Sequence, residues 1–388
     1  MAVLDLLTAS FYNIFPFVVV LSILVFVHEM GHYLVARYYG VKVEVFSIGF
    51  GPEVFGWNDR KGTRWKVSYI PLGGYVRFFS DLNESSHPDF KQLETLSDEE
   101  RNQTLFYKPV GQRIAISAAG PAANYLFAII MLTMLYIFVG QRVATDEAQI
   151  MRVVPLGAAE KGGLLAKDTL ISIDGKAVKS PSDVQMLVRP LAGKDVTVHV
   201  VREGNPVDLH VTIGEKTSRG ERIGTLGVEL GSKTVLQKVP FYLAPWHACK
   251  ETAQVSWDSL KSFGQMIAGT RSADGLSGPI GIALFAGAAA ERDVMELLWL
   301  SVFLSISLGL INLLISLGLI NLFPVPMLDG GHILFYIIEA VRGKPLPEKA
   351  QEIGFRIGFG LVAGLILFST WNDLSRLKIV QEALSFFG

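Results

Sequence analysis

Cysteine is almost absent from this 388-residue sequence, in which Cys249 is the single example. A lone cysteine excludes an intrachain disulfide and any zinc site built from thiolates. Basic residues are absent before Arg37, so the chain lacks the charged start of a cleaved signal peptide, and we expect its first apolar run to be retained. Net charge is also nearly absent, at −1, which gives no indication of nucleic-acid binding.

Apolar residues, by contrast, make up 50% of the sequence, an excess that indicates membrane spans beside soluble segments. They are concentrated in four runs, near residues 11–35, 114–139, 297–323 and 357–368. A helix of about 20 residues crosses a bilayer, so the first three runs qualify, and we expect the short, glycine-rich fourth to cross as well. The sequence predicts a polytopic α-helical membrane protein with about four transmembrane helices.

Basic residues predict how these helices are oriented. Eleven lie between Arg37 and Arg113, and Arg342, Lys344 and Lys349 follow the third run. Because cytoplasmic loops carry the excess of Lys and Arg, both loops are expected on the cytoplasmic side. The long segment 141–292 is then expected outside, and the chemistry towards the cytoplasmic side.

The outer segment begins with a β-rich pattern. Residues 169–178 predict two short strands around an Asp174-Gly175 turn, and residues 182–191 have helical spacing. Residues 195–202 and 207–213 alternate apolar and polar side chains, which predicts a hairpin. A small inserted domain is therefore expected between the second and third spans.

His28 and His32 are four residues apart at the end of the first apolar run, and Glu29 follows the first of them. Both imidazoles then project from one face of a helix, as in the H-E-x-x-H arrangement of two zinc ligands and a general base. Two structural histidines could show the same spacing, but ionisable groups at membrane depth are costly and usually functional. We interpret the motif as a zinc site.

A catalytic zinc takes three protein ligands and a water. The only comparable polar cluster beside an apolar run extends from Asn321 to His332, where Pro324 and Pro326 must open the helix. Open backbone at that depth is tolerated where it is buried in protein or lines a wet cavity. Both Asp329 and His332 are candidates for the third ligand.

Four motifs together resemble the site-2 protease family of intramembrane zinc metalloproteases, most closely its bacterial branch that contains the regulator of sigma-E protease. They are the residues 28–32, Pro71-Leu72-Gly73-Gly74-Tyr75-Val76, Gly120-Pro121-Ala122-Ala123-Asn124 and 321–330. The resemblance implies Zn²⁺ as cofactor, with His28, His32 and Asp329 as its ligands. It also implies Glu29 as general base, Asn321 as a substrate-binding residue, and a location in the bacterial cytoplasmic (inner) membrane.

One departure from the family pattern is a repeat, in which residues 306–312 recur as residues 315–321. A helix over residues 297–323 would be ~40 Å long, against a ~30 Å hydrocarbon core. Asn312, in the first copy, has the wrong spacing to Asp329 for the role that the resemblance gives Asn321. The packing of the third span is therefore an open question.

Residues 46–79 predict a β-loop that is associated with the membrane. An exposed strand edge within 66–78 would pair with unwound substrate beside the zinc, because an added strand finds its main-chain partners at such an edge. We expect Gly73, Gly74 and Tyr75 to contact substrate there. The alternative is a surface hairpin without contact to substrate.

The outer domain resembles a circularly permuted PDZ domain, on residues 153–164, Lys167, Asp168 and residues 173–178. In this order the peptide-binding loop lies late and contains Ile223, Gly224, Leu226 and Gly227. The domain could bind peptide termini, or it could only restrict the size of substrates that reach the active site.

The predicted organisation therefore alternates membrane and outer segments. The expected boundaries are 1–45 for the first transmembrane helix, 46–112 for the β-loop region, 113–140 for the second helix, 141–232 for the PDZ-like domain, 233–292 for a linker with an amphipathic segment, 293–332 for the third helix, and 333–388 for a cytoplasmic loop, the fourth helix and the tail.

The predicted function is regulated intramembrane proteolysis. Expected substrates are single-span membrane proteins that another protease has already cut, resembling anti-sigma factors, or remnant signal peptides, with membrane lipid as the surroundings. Two alternatives remain from the residues: a membrane metal transporter, which would not need Glu29 as a base, and an inactive PDZ scaffold, which would not need an intact ligand set.

Overall fold

The computed structural model describes residues 2–81, 93, 95–155, 157–218, 221–272, 277–315 and 329–375. Two compact units divide the chain, one formed by Met1–Met134 with Tyr242–Gly388 and the other by Leu135–Phe241. The helices are α1 Ala2–Tyr38, α2 Asp98–Arg101, α3 Val110–Phe138, α4 Ala158–Lys161, α5 Pro181–Val188, α6 Ala244–Ile267, α7 Pro279–Arg292, α8 Val294–Leu310, α9 Asp329–Arg342 and α10 Glu348–Ser375. The strands are β1 Val43–Asn58, β2 Arg64–Phe78, β3 Gln141–Val153, β4 Thr169–Ile173, β5 Lys176–Ala177, β6 Asp195–Arg202, β7 Asn205–Thr212, β8 Gly214–Ser218, β9 Glu221–Thr225 and β10 Val228–Gln237.

Four helices in the described part of the chain are long and apolar enough to cross a membrane. They are Ile14–Tyr38, Val110–Phe138, Val294–Leu313 and Lys349–Ser375. The prediction of a polytopic helical protein with about four spans is confirmed. The fourth helix is longer than its apolar run because helical structure continues into polar residues at both ends.

The third span changes its winding inside the repeat. Helix α8 gives way to a π-helical turn over Ile311–Ile315, where the first repeat copy ends. Most of the second copy, including Asn321, lies outside the described residues. Residues 333–342, which were predicted to be a loop, instead belong to α9, a helix in which Ile333 and Phe335 are buried.

Strands β1 and β2 form an irregular ladder, in which some segments of one strand pair with two segments of the other. Val45, Phe46, Ser47 and Ile48 each have two partners in β2, one within residues 64–67 and one within residues 74–77. Residues 64–67 also pair with the second half of β1, from Phe55 to Asn58. The order of segments is therefore 55–58, 64–67, 45–48 and 74–77, which makes residues 74–78 an edge and residues 64–67 an interior segment.

Unit Leu135–Phe241 contains the predicted inserted domain. Its main sheet has the strand order β10-β3-β4-β6-β7, with β5 paired to β4, around a core that includes Ile150, Ile173 and Val198. The two predicted hairpins are confirmed, since both turns, at Asp174-Gly175 and at Glu203-Gly204, have positive φ angles that suit tight hairpins.

The ends of this unit differ from the prediction. Strand β10 continues to Gln237, five residues beyond the expected end at 232, because it pairs with β3 as far as Gln141. The expected linker 233–292 is mostly helical, and it contains α6 and α7.

Candidate metal centre

Helix α1 positions the two histidines of the H-E-x-x-H motif. Its uninterrupted helical path places His28 and His32 one turn apart on one face, and both residues are only 8% exposed. Their Nε2 atoms lie 3.3 Å apart. The two imidazoles therefore converge on one point inside the protein.

Asp329 completes this cluster from the first turn of α9. Its Oδ2 lies 3.1 Å from His28 Nε2, and its Oδ1 lies 3.2 Å from His32 Nε2. These donor atoms all lie within 4.8 Å of one another, and among the described residues they form the one cluster of this kind. Tertiary structure thus brings together residues that are about 300 positions apart in the sequence.

The donor set fits zinc. Tetrahedral zinc with bonds of about 2.0–2.1 Å separates neighbouring donor atoms by about 3.3 Å. The distance between the two Nε2 atoms and the two distances from Nε2 to a carboxylate oxygen of Asp329 are all close to this value. Two imidazoles and one carboxylate are also the ligands of catalytic zinc sites that keep one position open.

Helix α3 supplies the second wall of the site, from residues spaced four apart. The carbonyl oxygen of Ile116 accepts a hydrogen bond from His32 Nδ1 at 2.8 Å. A Cβ atom on Gly120 would lie 2.2 Å from His32 Nε2, so only glycine leaves space for the cluster. Asn124 Nδ2 lies 3.1 Å from His28 Nδ1.

Sequence reasoning identified the 120–124 motif but gave it no role at the metal. The signal that could have found one is the run of small residues 118–123, which allows two helices in a membrane to approach closely. The same principle explains Gly31, where a Cβ atom would lie 2.3 Å from the carbonyl oxygen of Ala119.

Glu29 lies beside the cluster and against the edge of the β-loop. The backbone amide of Val76 faces its carboxylate. A Cβ atom on Gly74 would lie 3.4 Å from Glu29 Cγ and 2.6 Å from both Val25 Cγ1 and the carbonyl oxygen of Ser47. Glycine at position 74 therefore lets the strand edge reach helix α1.

Gly73 and Tyr75, the other two residues predicted to contact substrate, both pack against Phe50 of the β-loop. Gly73 has a φ of +127°, and a Cβ atom there would lie 2.5 Å from the Phe50 ring. Tyr75 is 6% exposed and stacks on Phe50 with a centroid distance of 6.0 Å. The Tyr75 side chain thus packs within the loop rather than at its edge.

Of the remaining candidates near the metal, His332 is absent from the ligand cluster found among the described residues. It lies three residues after Asp329 and lines a small cavity with Arg113, Tyr336 and Glu339. Asn321 falls outside the described residues.

Comparison with known proteins decides the family. The sequence profile of peptidase family M50 matches residues 16–314 and 315–365. This chain belongs to peptidase family M50. The two matched segments of this M50 peptidase meet at the position where the second repeat copy begins.

Relatives of the M50 peptidase match along nearly their whole length. A protein of Rhizobium meliloti, inferred to be a zinc metalloprotease, is 41% identical over 94% of this chain and 97% of its own. Metalloprotease MmpA of Caulobacter vibrioides is 35% identical over 93% and 95%. Regulator of sigma-E protease RseP of Escherichia coli is 31% identical over 94% and 99%.

The family establishes several predictions at once. The M50 peptidase is a zinc metalloprotease of the site-2 protease family and a multi-pass protein of the inner membrane, and it acts on membrane proteins. The transporter and scaffold alternatives do not agree with this assignment.

The inserted domain of the M50 peptidase has a groove between helix α5 and the start of β10, with a volume of about 780 Å³. Ile223, Gly224, Leu226 and Gly227 all line it, as does Arg189. Gly224 has a structural reason to be glycine, because a Cβ atom there would lie 2.1 Å from the carbonyl oxygen of Val188 at the end of α5.

Strand β10 lies at one end of the main sheet and offers an edge to this groove. The carbonyl oxygens of Leu226 and Gly227 accept hydrogen bonds from Ala159 and Val154. Their amide groups donate to no carbonyl of the described residues. Main-chain groups at a free sheet edge are the kind that an added peptide strand can pair with.

Proposed function

We propose that this M50 peptidase cleaves single-span membrane proteins inside the membrane, with His28, His32 and Asp329 holding zinc and Glu29 as general base. One observation carries the proposal: the three ligand side chains converge within 4.8 Å, and Glu29 follows the first of them in the same helix. The spacing suits a site in which a carboxylate acts on a water molecule beside the metal.

Zinc, when bound there, polarises the scissile carbonyl and lowers the pKa of a water molecule to about 7. Glu29 takes the proton from that water and passes it to the leaving amine. The residues around Glu29 serve this role by position. Val76 faces its carboxylate, and Gly74 keeps the β-loop close without filling the space where substrate must lie.

Substrate unwinding is assigned to the edge of the β-loop. A helix in a membrane has all of its backbone groups paired, so unwinding needs replacement partners. Residues 74–78 form an edge beside Glu29 and can offer such partners as an added strand does. The proposed edge is shorter than the predicted segment 66–78, because residues 66 and 67 have partners on both sides and lie inside the ladder.

The direction of the chain in the membrane follows from the basic residues. Eleven between Arg37 and Arg113 favour a cytoplasmic β-loop, with the active site towards that side and the PDZ-like domain in the periplasm. The proposed substrates, which the family resemblance suggests, are proteins already shortened on the periplasmic side by another protease, resembling anti-sigma factors, or remnant signal peptides. The name of the relative RseP is consistent with the first class.

The test is cleavage of a tagged single-span substrate, reconstituted in lipid with the wild type or Glu29→Gln. We expect the variant to keep its zinc and to lose about 10²–10⁴ in rate, because an amide cannot take the proton. Metal analysis of His28→Ala supplies the control, in which zinc itself is lost. Cleavage by Glu29→Gln at the wild-type rate would show that Glu29 is not the base.

A further inference from the structure

Both imidazoles of the metal cluster must hold one particular tautomer. In both His28 and His32 the atom Nε2 lies beside Asp329 and is therefore the atom that would bind the metal. A ring nitrogen binds a metal through its lone pair, so the proton of each neutral ring must be on Nδ1. A protonated Nδ1 inside the protein requires an acceptor, since a buried donor without a partner is costly. His32 has one in the carbonyl oxygen of Ile116.

For His28, the side-chain amide of Asn124 contacts Nδ1, with Nδ2 placed 3.1 Å away. Asn124 is completely buried, and its Oδ1 has no hydrogen-bond partner. With Nδ2 towards the ring, two donors would face each other. A half-turn of the amide, which exchanges groups of nearly the same size, places the orphan oxygen at Nδ1 and supplies the acceptor.

The position of Asn124 is fixed from a third helix. Ser305 of α8 is fully buried, and its hydroxyl donates to the backbone carbonyl of Asn124 at 2.8 Å. A Cβ atom on Gly309, one turn further along α8, would lie 3.0 Å from the ring of Tyr125. The third span therefore holds α3 at the height where Asn124 meets His28.

We infer that Asn124 is a positioning residue for the metal, whose side-chain oxygen accepts the Nδ1 proton of His28 and so presents Nε2 to zinc. This inference rests on the proposed role of His28 as a ligand. Partners that orient a ligating histidine typically contribute 10–100-fold to metal affinity. Ile116 and Asn124 thus form a matched pair on one face of α3, one acting through backbone and the other through its side chain.

The experiment compares zinc affinities of purified full-length variants, measured by chelator competition in detergent. Asn124→Leu keeps the volume but removes the acceptor, and we expect it to bind zinc 10–100-fold more weakly. Asn124→Asp keeps the shape and offers only acceptors, so we expect affinity at least equal to the wild type. A residue needed only for packing would show the opposite order, since a buried unpaired carboxylate is costly and leucine is not.

Two controls separate this inference from the proposed function. Gly111→Ala changes the same helix α3 where nothing lies within 4 Å of the Cβ position, and it should bind zinc within about threefold of the wild type, well below the 10–100-fold loss of an orienting partner. His28→Ala tests the ligand itself, and tight zinc binding by that variant would contradict the ligand set. If His28→Ala loses zinc but Asn124→Asp binds it as weakly as Asn124→Leu, or does not fold, the role of Asn124 is disproved while the ligand set stands.

Discussion

Arg113 and Glu339 form a buried two-point ion pair between α3 and α9, 226 residues apart in the sequence. Arg113 Nη1 donates to Glu339 Oε2 at 3.0 Å, and Nη2 donates to the other oxygen. The guanidinium also lies over the ring of Tyr336, 4.8 Å from its centroid. Because α9 begins with Asp329, this pair helps to fix the helix that carries the third proposed metal ligand.

Breaking this ion pair should weaken both folding and metal binding. Removing one partner of a buried pair leaves an uncompensated charge and typically costs about 3–5 kcal/mol. We expect Arg113→Met to lower the thermal unfolding midpoint and the zinc content. The double variant Arg113→Met, Glu339→Met should recover part of the loss, since neither charge remains, and strictly additive effects would mean that the two residues do not interact.

Gly120 should be irreplaceable at the metal centre. Alanine there places a Cβ atom 2.2 Å from His32 Nε2 and 2.8 Å from His28 Nε2. We expect Gly120→Ala to lower the affinity for zinc at least about tenfold, which is the lower end of the loss caused by a disturbed ligand orientation. Gly111→Ala on the same helix is the matched control, because nothing lies within 4 Å of its Cβ position.

Asp59 should make the β-loop sensitive to acid. Burial opposes its ionisation, but hydrogen bonds from the amides of Thr63 and Lys61, from Trp65 Nε1 and from the Tyr33 hydroxyl outweigh it and hold the pKa of the carboxyl below its usual value. Because the pKa of Asp59 is lower in the folded than in the unfolded state, its carboxylate stabilises the fold. This stabilisation is fully present above the unfolded pKa of about 3.9 and is lost as pH falls through the folded pKa.

Tyr33 follows His32 in α1, so the hydrogen bond to Asp59 connects the turn of the β-loop to the helix that carries two proposed metal ligands. We expect Asp59→Asn to reduce stability by about 1 kcal/mol at neutral pH. The difference from the wild type should begin to shrink as pH falls below the unfolded pKa of about 3.9 and should be smallest below the folded pKa, where the carboxyl is protonated in both states. Thermal unfolding over a range of pH values is the measurement, and a constant difference at all pH values would contradict this role.

The edge at Val76 should be sensitive to proline. Amide directions alternate along a strand: Phe79 N–H points to the carbonyl of Lys42, whereas Phe78 N–H points away from β1 to Asp81. Val76 N–H points the same way as that of Phe78, towards Glu29. We expect Val76→Pro, which has no N–H, to lose cleavage while zinc stays bound.

Val76→Ala keeps the amide and serves as the matched control for that variant. Val67→Pro differs in kind, because residue 67 pairs with both Ile48 and Phe55 inside the ladder, and we expect it to disrupt the loop itself. Crosslinking of a cysteine at position 76 to a substrate span, after Cys249 is replaced by serine, gives a second readout. Full activity of Val76→Pro and no crosslink would leave the segment a surface hairpin.

Deletion of residues 150–230 should change which substrates are cut without abolishing the chemistry. Ile150 and Leu230 are register partners in β3 and β10, so the deletion leaves two chain ends that a short linker can join. All proposed metal and base residues lie outside this segment. We expect zinc binding to persist and substrates with longer periplasmic domains to be accepted. A zinc-bound deletion variant that still rejects those substrates would exclude a size filter.

The sequence alone determined the membrane class, the four spans, the H-E-x-x-H helix and both hairpin turns of the outer domain. These features are local: apolar runs, a spacing of four and turn dipeptides express their structure within about 20 residues. The structure differs from the predicted boundary between the third helix and the following loop, at residue 332, because the helix α9 runs across it from Asp329 to Arg342. A helix of 14 residues is too short for a span, so a search for spans alone assigns it to a loop.

Only the tertiary structure decided which distant groups meet at the metal. From the sequence, Asp329 and His332 are nearly equivalent candidates for the third metal ligand. In the described part of the structure, the position of α9 brings the Asp329 carboxylate to both histidines. The same holds for Ile116, Gly120 and Asn124, whose roles depend on the approach of α3 to α1. A run of small residues such as 118–123 indicates that a helix can approach another closely, but it does not specify which residues of the other helix it meets, and that is decided only when the helices pack.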